Sequence, residues 1–584
     1  MKHGWVCVVA LWLAPLGAQA QRTLWTNFSG VGNLWTNALN WTNGVPAATV
    51  TAFVNSASAP VNYTSVVDSV DATAARLEIA GTASRTATVY VAPGAVLSVV
   101  GSNPDSNLGG NSLQINTRGV LEVAGIVTNS RNVQVNGAVL RINGGTLWNT
   151  NTVTGSSRAF GRSVVEITGG GGLFSGRNFD VGGVGSGDDS FVRVLDGWMT
   201  ANSMNIGVRQ TGTVVIGSSG TLTNTGADLT LSQFQTDGSL TVGYLYSTGT
   251  VVNLGNFYIG RNNSNASSFG SAVISGGTFL QQGNSTRTID VGREGRGSLT
   301  VDGGSLVSTN NMNIGVVDTQ PNRLGRGDGT VLVSGTGSVF VTNSVGTATI
   351  AIGNATNSVE ANRAIGRLTV AGGSLTANRL LVRNGAFTNS GGVSTLGALI
   401  ATNDTAALAL TGGTLNLGSS AIDNGQALVV GDGVGAATLN LTGGGTHALA
   451  DGLLVASNSL LRGAGTVVGT LTNFGTIAPG DSPGIIGVTG DAILAGNSLM
   501  LMELGGTNAS EFDQFNVTGL LGFDGTLTVT LTNGFTPQVG DVFDLFDFGS
   551  TNGLTFDAVN LPDLLGAAWD TTDLYLGGSI AVVI

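Results

Sequence analysis

The sequence predicts an all-β protein, a parallel β-helix (β-solenoid) with three strands per coil. Three observations predict it. Short apolar runs alternate with polar residues and are punctuated by Gly and Asn, the pattern of many short strands. The runs recur: ten units fill residues 163–456, about 29 residues each. Each unit holds two signature phrases with a third short strand between them, so a coil of three strands fits. A β-propeller fits less well, because its blades run ~40–50 residues with four strands each.

The first phrase ends a strand in Gly-Gly, as in Val165-Glu166-Ile167-Thr168-Gly169-Gly170, Leu299-Thr300-Val301-Asp302-Gly303-Gly304 and Leu439-Asn440-Leu441-Thr442-Gly443-Gly444. The second is apolar-x-apolar-Gly, as in Met204-Asn205-Ile206-Gly207, Phe257-Tyr258-Ile259-Gly260 and Ile289-Asp290-Val291-Gly292, with weaker copies ending at Ser232, Arg383 and Ala456. Inward Val, Ile and Leu stack on the same position one coil away, roughly 4.8 Å distant. Gly and Asn take corners that need positive φ.

Composition agrees. Of 584 residues, 41% are hydrophobic and 10% charged, with 93 glycines and 10 prolines. An average domain is roughly 25% charged, and a disordered chain needs high charge with low hydrophobicity. The glycines follow no Gly-X-Y period, so a collagen helix is excluded.

In chain order, residues 1–20 read as a signal peptide. Lys2 and His3 precede an apolar run from Trp5 to Leu16, and Ala18-Gln19-Ala20 supplies small residues at a cleavage site after Ala20. The run is shorter than the roughly 20 apolar residues that span a bilayer, and no later segment is long enough. Cleavage removes Cys7 and Lys2, leaving no disulfide framework. Residues 21–60 read as a Trp-rich N-terminal cap: Trp25, Trp35 and Trp41 fill one another's gaps over the first coil. Residues 61–480 are the parallel β-helix repeats. Residues 481–584 are an acidic, β-rich C-terminal cap region. From 463 onward the chain has 13 acidic residues and no basic one, within a net charge of −12. No basic patch for nucleic acid is present.

The C-terminal stretch contains Pro479-Gly480-Asp481-Ser482-Pro483-Gly484, Glu511-Phe512-Asp513-Gln514-Phe515-Asn516-Val517-Thr518-Gly519 and Gly525-Thr526-Leu527-Thr528-Val529. Together with the Trp-rich start and the Gly-Gly strands, it resembles bacterial secreted proteins with autotransporter-associated β-strand repeats (PEP-CTERM-type β-helix proteins). The sequence closes on Val582-Val583-Ile584 without that family's C-terminal sorting tail. The resemblance implies export, a right-handed parallel β-helix and a cell-surface or extracellular-matrix role. It implies no fixed catalytic residues.

The residues themselves offer little chemistry. Parallel β-helices also carry lyases, which hold Ca²⁺ with clustered carboxylates, and hydrolases, which need two carboxylates across a cleft. The one adjacent pair, Asp188-Asp189, reads as a solvated turn. His447 has no second His or Cys with which to share a metal and reads as a loop residue. Arg326-Gly327-Asp328 matches the integrin-binding tripeptide, which Gly-rich loops produce by chance. Asp541, Asp544 and Asp547 read as solvated edge charges that deter aggregation. No catalytic, cofactor-binding or metal residue is assigned, and no cofactor. The expectation is a secreted, non-enzymatic, adhesin-like protein with a structural or adhesive role. Its expected partners are polysaccharide or cell-surface and matrix components, with no nucleic acid and no membrane span after signal removal. The alternative is a carbohydrate-binding or polysaccharide-degrading β-helix. The outward side chains discriminate: carboxylates, Arg and aromatics projecting from one sheet favour the alternative, and uniformly short Ser, Thr and Asn favour the scaffold.

Overall fold

The computed structural model describes residues 21–27, 32–55, 61–101, 111–129, 131–149, 157–160, 162–182, 189–208, 210–232, 241–261, 268–317, 327–354, 364–480 and 483–584. Residues 1–20, Asp188 and Arg326 lie outside them. Among the described residues the one helical piece is a 3-10 turn, Ala38–Asn40, and the regular structure is otherwise strand. Nearly all pairing is parallel, so the fold is a parallel β-helix. Two compact units divide the chain after Arg177.

In the first unit, three ladders repeat in turn. One runs through Tyr63–Val67, Ala87–Val91, Gly119–Val123, Val139–Asn143 and Val164–Thr168. Successive coils add strands to the second ladder (Ala72–Ala74, Val96–Val99, Ile126–Asn129, Thr146–Asn149) and the third (Val50–Asn55, Arg76–Ala80, Asn111–Ile115, Asn132–Asn136, Ser157–Phe160). Alternation sets the core: Val67, Val91, Val123, Ile142 and Ile167 stand in register and are fully buried. Full burial of such a side chain contributes about 1.5–3 kcal/mol.

The coils begin earlier than residue 61. Gln21–Leu24 and Val50–Asn55 already pair in parallel, because Val50, Ala52 and Val54 carry the same inward alternation. Only the intervening segment is cap-like. Trp41 meets Trp25 and Trp35 edge-on at 5.0 and 4.7 Å, all three are buried, and the Trp41 indole N–H donates to the Trp35 carbonyl at 2.9 Å. Thr42 and Asn43 bond to the outer edge of Gln21–Leu24, which removes an open strand edge.

The second unit repeats the same three-ladder scheme. Val192, Val214, Leu245, Ala272, Leu299, Val331 and Leu368 form one inward column, each essentially without exposure. A buried amide ladder fills a corner: Asn224 Nδ2 donates to Asn253 Oδ1 at 2.6 Å, Asn253 Nδ2 to Gln281 Oε1 at 2.7 Å, and Gln281 Nε2 to the Gly255 carbonyl at 2.7 Å. Each amide nitrogen of the ladder thereby donates to an acceptor, which offsets the cost of burying it, while Asn224 Oδ1 has no hydrogen-bond partner among the described residues.

The apolar-x-apolar-Gly phrase ends at a left-handed corner. Gly260 has φ +75°, and a Cβ there would lie 2.1 Å from the Arg296 carbonyl oxygen. Backbone packs on backbone at this corner, so Gly is required twice over. Ser232, one of the weaker copies, holds φ +63° with a buried hydroxyl that donates to the Thr241 carbonyl at 2.9 Å.

The coils do not end at 480. Ile485–Thr489 stacks on Leu460–Val468, Gln514–Gly522 on Ile485–Thr489, and Phe546–Thr551 on Gln514–Gly522, all in parallel. Acidic charge changes there while inward alternation does not: in Leu499–Leu504 every second side chain is buried and Glu503 faces outward. The cap is shorter, a three-stranded antiparallel sheet of Val542–Asp544, Ala568–Asp570 and Ser579–Val583. Phe523 anchors this end, with the rings of Phe546, Phe548, Phe556 and Tyr575 within 5.2–5.7 Å.

Candidate functional site

Alternation places every second side chain of each strand on the outer surface, so the outer faces can be read column by column. In the second unit one ladder presents uncharged columns. Thr250, Thr278, Ser305 and Ser338 make one, and Val252, Leu280, Val307 and Phe340 lie beside them in register.

The ladder that begins with Ser190–Val194 differs. Phe191 and Arg193 project from that strand, Tyr244 and Tyr246 from Val242–Ser247, Phe269 from Phe269–Ile274 and Arg296 from Arg296–Val301. The Tyr244 and Tyr246 rings lie nearly parallel, 6.0 Å apart and 14° between planes, and Phe269 meets Tyr244 edge-on at 6.5 Å. Arg193 sits over the Phe191 ring and Arg296 over Phe269, at 5.8 and 6.0 Å. Thr213, in register between Phe191 and Tyr244, is buried although it faces outward. Tyr246 is 41% exposed. The signal in the sequence is Tyr244-Leu245-Tyr246, whose alternation puts both phenols outside; the grouping with Phe269 and Phe191 depends on coil register.

A second polar cluster is internalised. Tyr258, the middle residue of its phrase, is buried between Arg261 and Arg293, whose guanidinium carbons lie 4.6 and 4.9 Å from its ring centre. Arg293 pairs with Asp290 at 2.6 Å, Arg261 with Asp228 at 3.2 Å, and Asn313 donates to Asp290 at 2.7 Å. Each of these charges has a partner, and the cluster pins four successive coils together.

A cavity of about 270 Å³ near Pro483 is lined by Arg462, Pro479, Leu501, Glu503, Asp513 and Thr530. Burial pushes the Asp513 carboxyl up to about 7, against the pull of two backbone hydrogen bonds. A carboxyl titrating near neutrality beside a second one suits a general acid. Both Asp513 oxygens are already committed, however: Oδ1 accepts from Gly484 N–H at 2.7 Å and Oδ2 from Glu503 N–H at 2.8 Å. Asp513 therefore fastens the Pro483-Gly484 turn to the neighbouring coil.

The residues singled out by sequence are scattered. Asp189 is exposed at the entry to Ser190–Val194. Asp328 pairs with Arg367 at 2.7 Å. His447 is not in a loop: it lies in Ala437–Leu449, is buried, and faces Ser420 of the preceding coil. Asp544 is held above the usual carboxylate range by partial burial and by Asp547 and Asp573. Among the described residues no group of three or more His, Cys, Asp or Glu is placed to hold a metal ion, and no helix is long and apolar enough to cross a membrane.

No protein-family model matches this chain, and no curated protein matches it. The functional reading therefore rests on the chain's own residues.

Proposed function

We propose that this chain is a secreted, non-enzymatic β-helical protein with a structural or adhesive role at the cell surface or in extracellular matrix. The observation that carries the reading is the outer face of one ladder, where the uncharged column Thr250, Thr278, Ser305 and Ser338 lies beside Val252, Leu280, Val307 and Phe340 on a scaffold fastened by backbone pairing, with the buried Asp513 carboxyl committed to two structural bonds. The signal-like residues 1–20 and the resemblance to autotransporter-associated repeat proteins support export. The alternative, a carbohydrate-binding or polysaccharide-degrading β-helix, gains support for binding alone, from the aromatic cluster around Tyr244 and Tyr246.

Fractionation tests the reading. The full chain is expressed in a bacterium with its own leader, and the medium, envelope and cytoplasm are assayed with an antibody. The protein is expected in the envelope or matrix fraction, extractable with denaturant; confinement to the cytoplasm contradicts it.

A further inference from the structure

In the C-terminal sheet Val542–Asp544, Ser579–Val583 and Ala568–Asp570 lie side by side in that order, so Ala568–Asp570 is an outer strand. Val582, on the middle strand, donates its N–H to the Asp541 carbonyl and accepts from the Gly540 N–H, both on the side away from Trp569. In an antiparallel pair, opposed residues either bond each other with both groups or turn both away. Trp569 stands opposite Val582, so its N–H and C=O point to the outer edge, and among the described residues neither has a partner.

An apolar groove leads to this edge. Leu531, Val539, Leu564, Leu565 and Ala567 line a cavity of about 220 Å³, and Ala567 directly precedes the strand. Leu565 is fully exposed. An open strand edge with apolar side chains beside it is a template for another strand. Charge selects the occupant. Asp563 lines the groove, Asp570 ends the strand, and from residue 463 onward the chain has 13 acidic residues and no basic one. With no counter-charge in the region, a second copy presenting the same end is repelled at neutral pH, and a strand bearing Arg or Lys is attracted.

We infer that this edge binds an extended basic segment of another protein. The segment adds as a strand beside Ala568–Asp570 and bonds through its backbone to Trp569. An apolar side chain of the segment seats beside Leu565, and its basic side chains meet Asp563 and Asp570. The inference goes beyond the structural or adhesive role and does not depend on it. Binding is non-covalent and needs no cofactor.

Fluorescence anisotropy tests it, with the full chain titrated into a labelled synthetic peptide that alternates Arg and Val. The peptide should bind, and binding should weaken as salt rises. The corresponding Glu-Val peptide should not bind. N-methylation throughout the Arg-Val backbone removes its donors but not its charge, and should weaken binding about tenfold. Leu565→Ser and Asp563→Asn should each weaken it several-fold. Val434→Ser, which removes another exposed apolar side chain, should leave it unchanged. Amide hydrogen exchange across residues 567–571 should slow when the peptide binds. Unaltered circular dichroism and thermal midpoint of the variants separate lost binding from lost fold. Absence of binding, equal binding by the Glu-Val or the N-methylated peptide, or full binding by Leu565→Ser would each overturn the inference. So would sedimentation showing that the full chain dimerises and that Leu565→Ser abolishes the dimer, because a second copy would then fill the edge.

Discussion

His447 and Ser420 face each other across adjacent coils, Nδ1 and Oγ 3.3 Å apart, and both are buried. The other imidazole nitrogen, Nε2, has no hydrogen-bond partner among the described residues. Burial lowers the imidazole pKa from its ordinary 6.5 to about 4. Inside a coil the ring is thus neutral at neutral pH.

The first prediction follows from that ring. Between pH 6.5 and 4 the unfolded chain holds a proton on His447 that the folded chain does not, so stability falls as pH falls through this window. The expected loss is on the order of 2–3 kcal/mol. Urea midpoints at pH 7 and pH 4.5 should show it, and His447→Val should remove most of the difference. An unchanged pH slope in the variant would show that other groups dominate.

Asp513 has the opposite sign. Its folded-state pKa of about 7 lies above the ordinary carboxylate value of 3.8, so its contribution to stability is full at low pH and is lost as pH rises through 7. Asp513→Asn cannot ionise and should gain on the wild type between pH 5 and pH 8. The same urea titration checks this; a penalty that grows with pH would contradict the assignment.

Two glycines separate backbone conformation from close packing. Gly260 and Gly443 both have positive φ, +75° and +69°, but only Gly260 has backbone within reach of a Cβ. Gly443→Ala should cost about 1–2 kcal/mol, the penalty of the left-handed conformation alone. Gly260→Ala should cost well over 3 kcal/mol or prevent folding, because backbone must move. Equal costs would mean that the corner relaxes freely.

The aromatic end makes a fourth test. Phe523 is fully buried under four other rings, including Tyr575. A chain ending at Asn560 loses Tyr575 and two of the three cap strands. It should associate at neutral pH, seen by light scattering, through the uncovered rings and strand edges. Dispersion equal to the full chain would show that the cap is dispensable.

On activity, the mature chain is expected to release no unsaturated or reducing ends from polygalacturonate or alginate, with or without Ca²⁺. Turnover lost on Asp188→Ala or Asp189→Ala would contradict the non-enzymatic reading.

The coil architecture was legible because Leu299-Thr300-Val301 and its relatives repeat an alternation that only one side of a strand can bury. Ser232 was legible as a corner despite lacking glycine, since its place in the phrase is the same. Other features were hidden. The boundary drawn at 480 followed the end of the recognisable repeat phrases and the acidic pattern beyond it, yet outward Glu503 and inward Met502 obey the same alternation as earlier coils. His447 follows Gly443-Gly444-Gly445 and reads as loop, while the strand runs through those glycines and turns the ring inward. Alternation assigns Tyr244 and Tyr246 to the surface, but only coil register brings Phe269 beside Tyr244 and aligns Phe191 two coils away across Thr213.

The most direct test of the central claim, that this is an exported surface protein, is the intact mass of the chain recovered from medium and envelope. The account predicts a species beginning at Gln21, cleaved after Ala20. A recovered protein that retains Met1 to Ala20 and stays in the cytoplasm would contradict it.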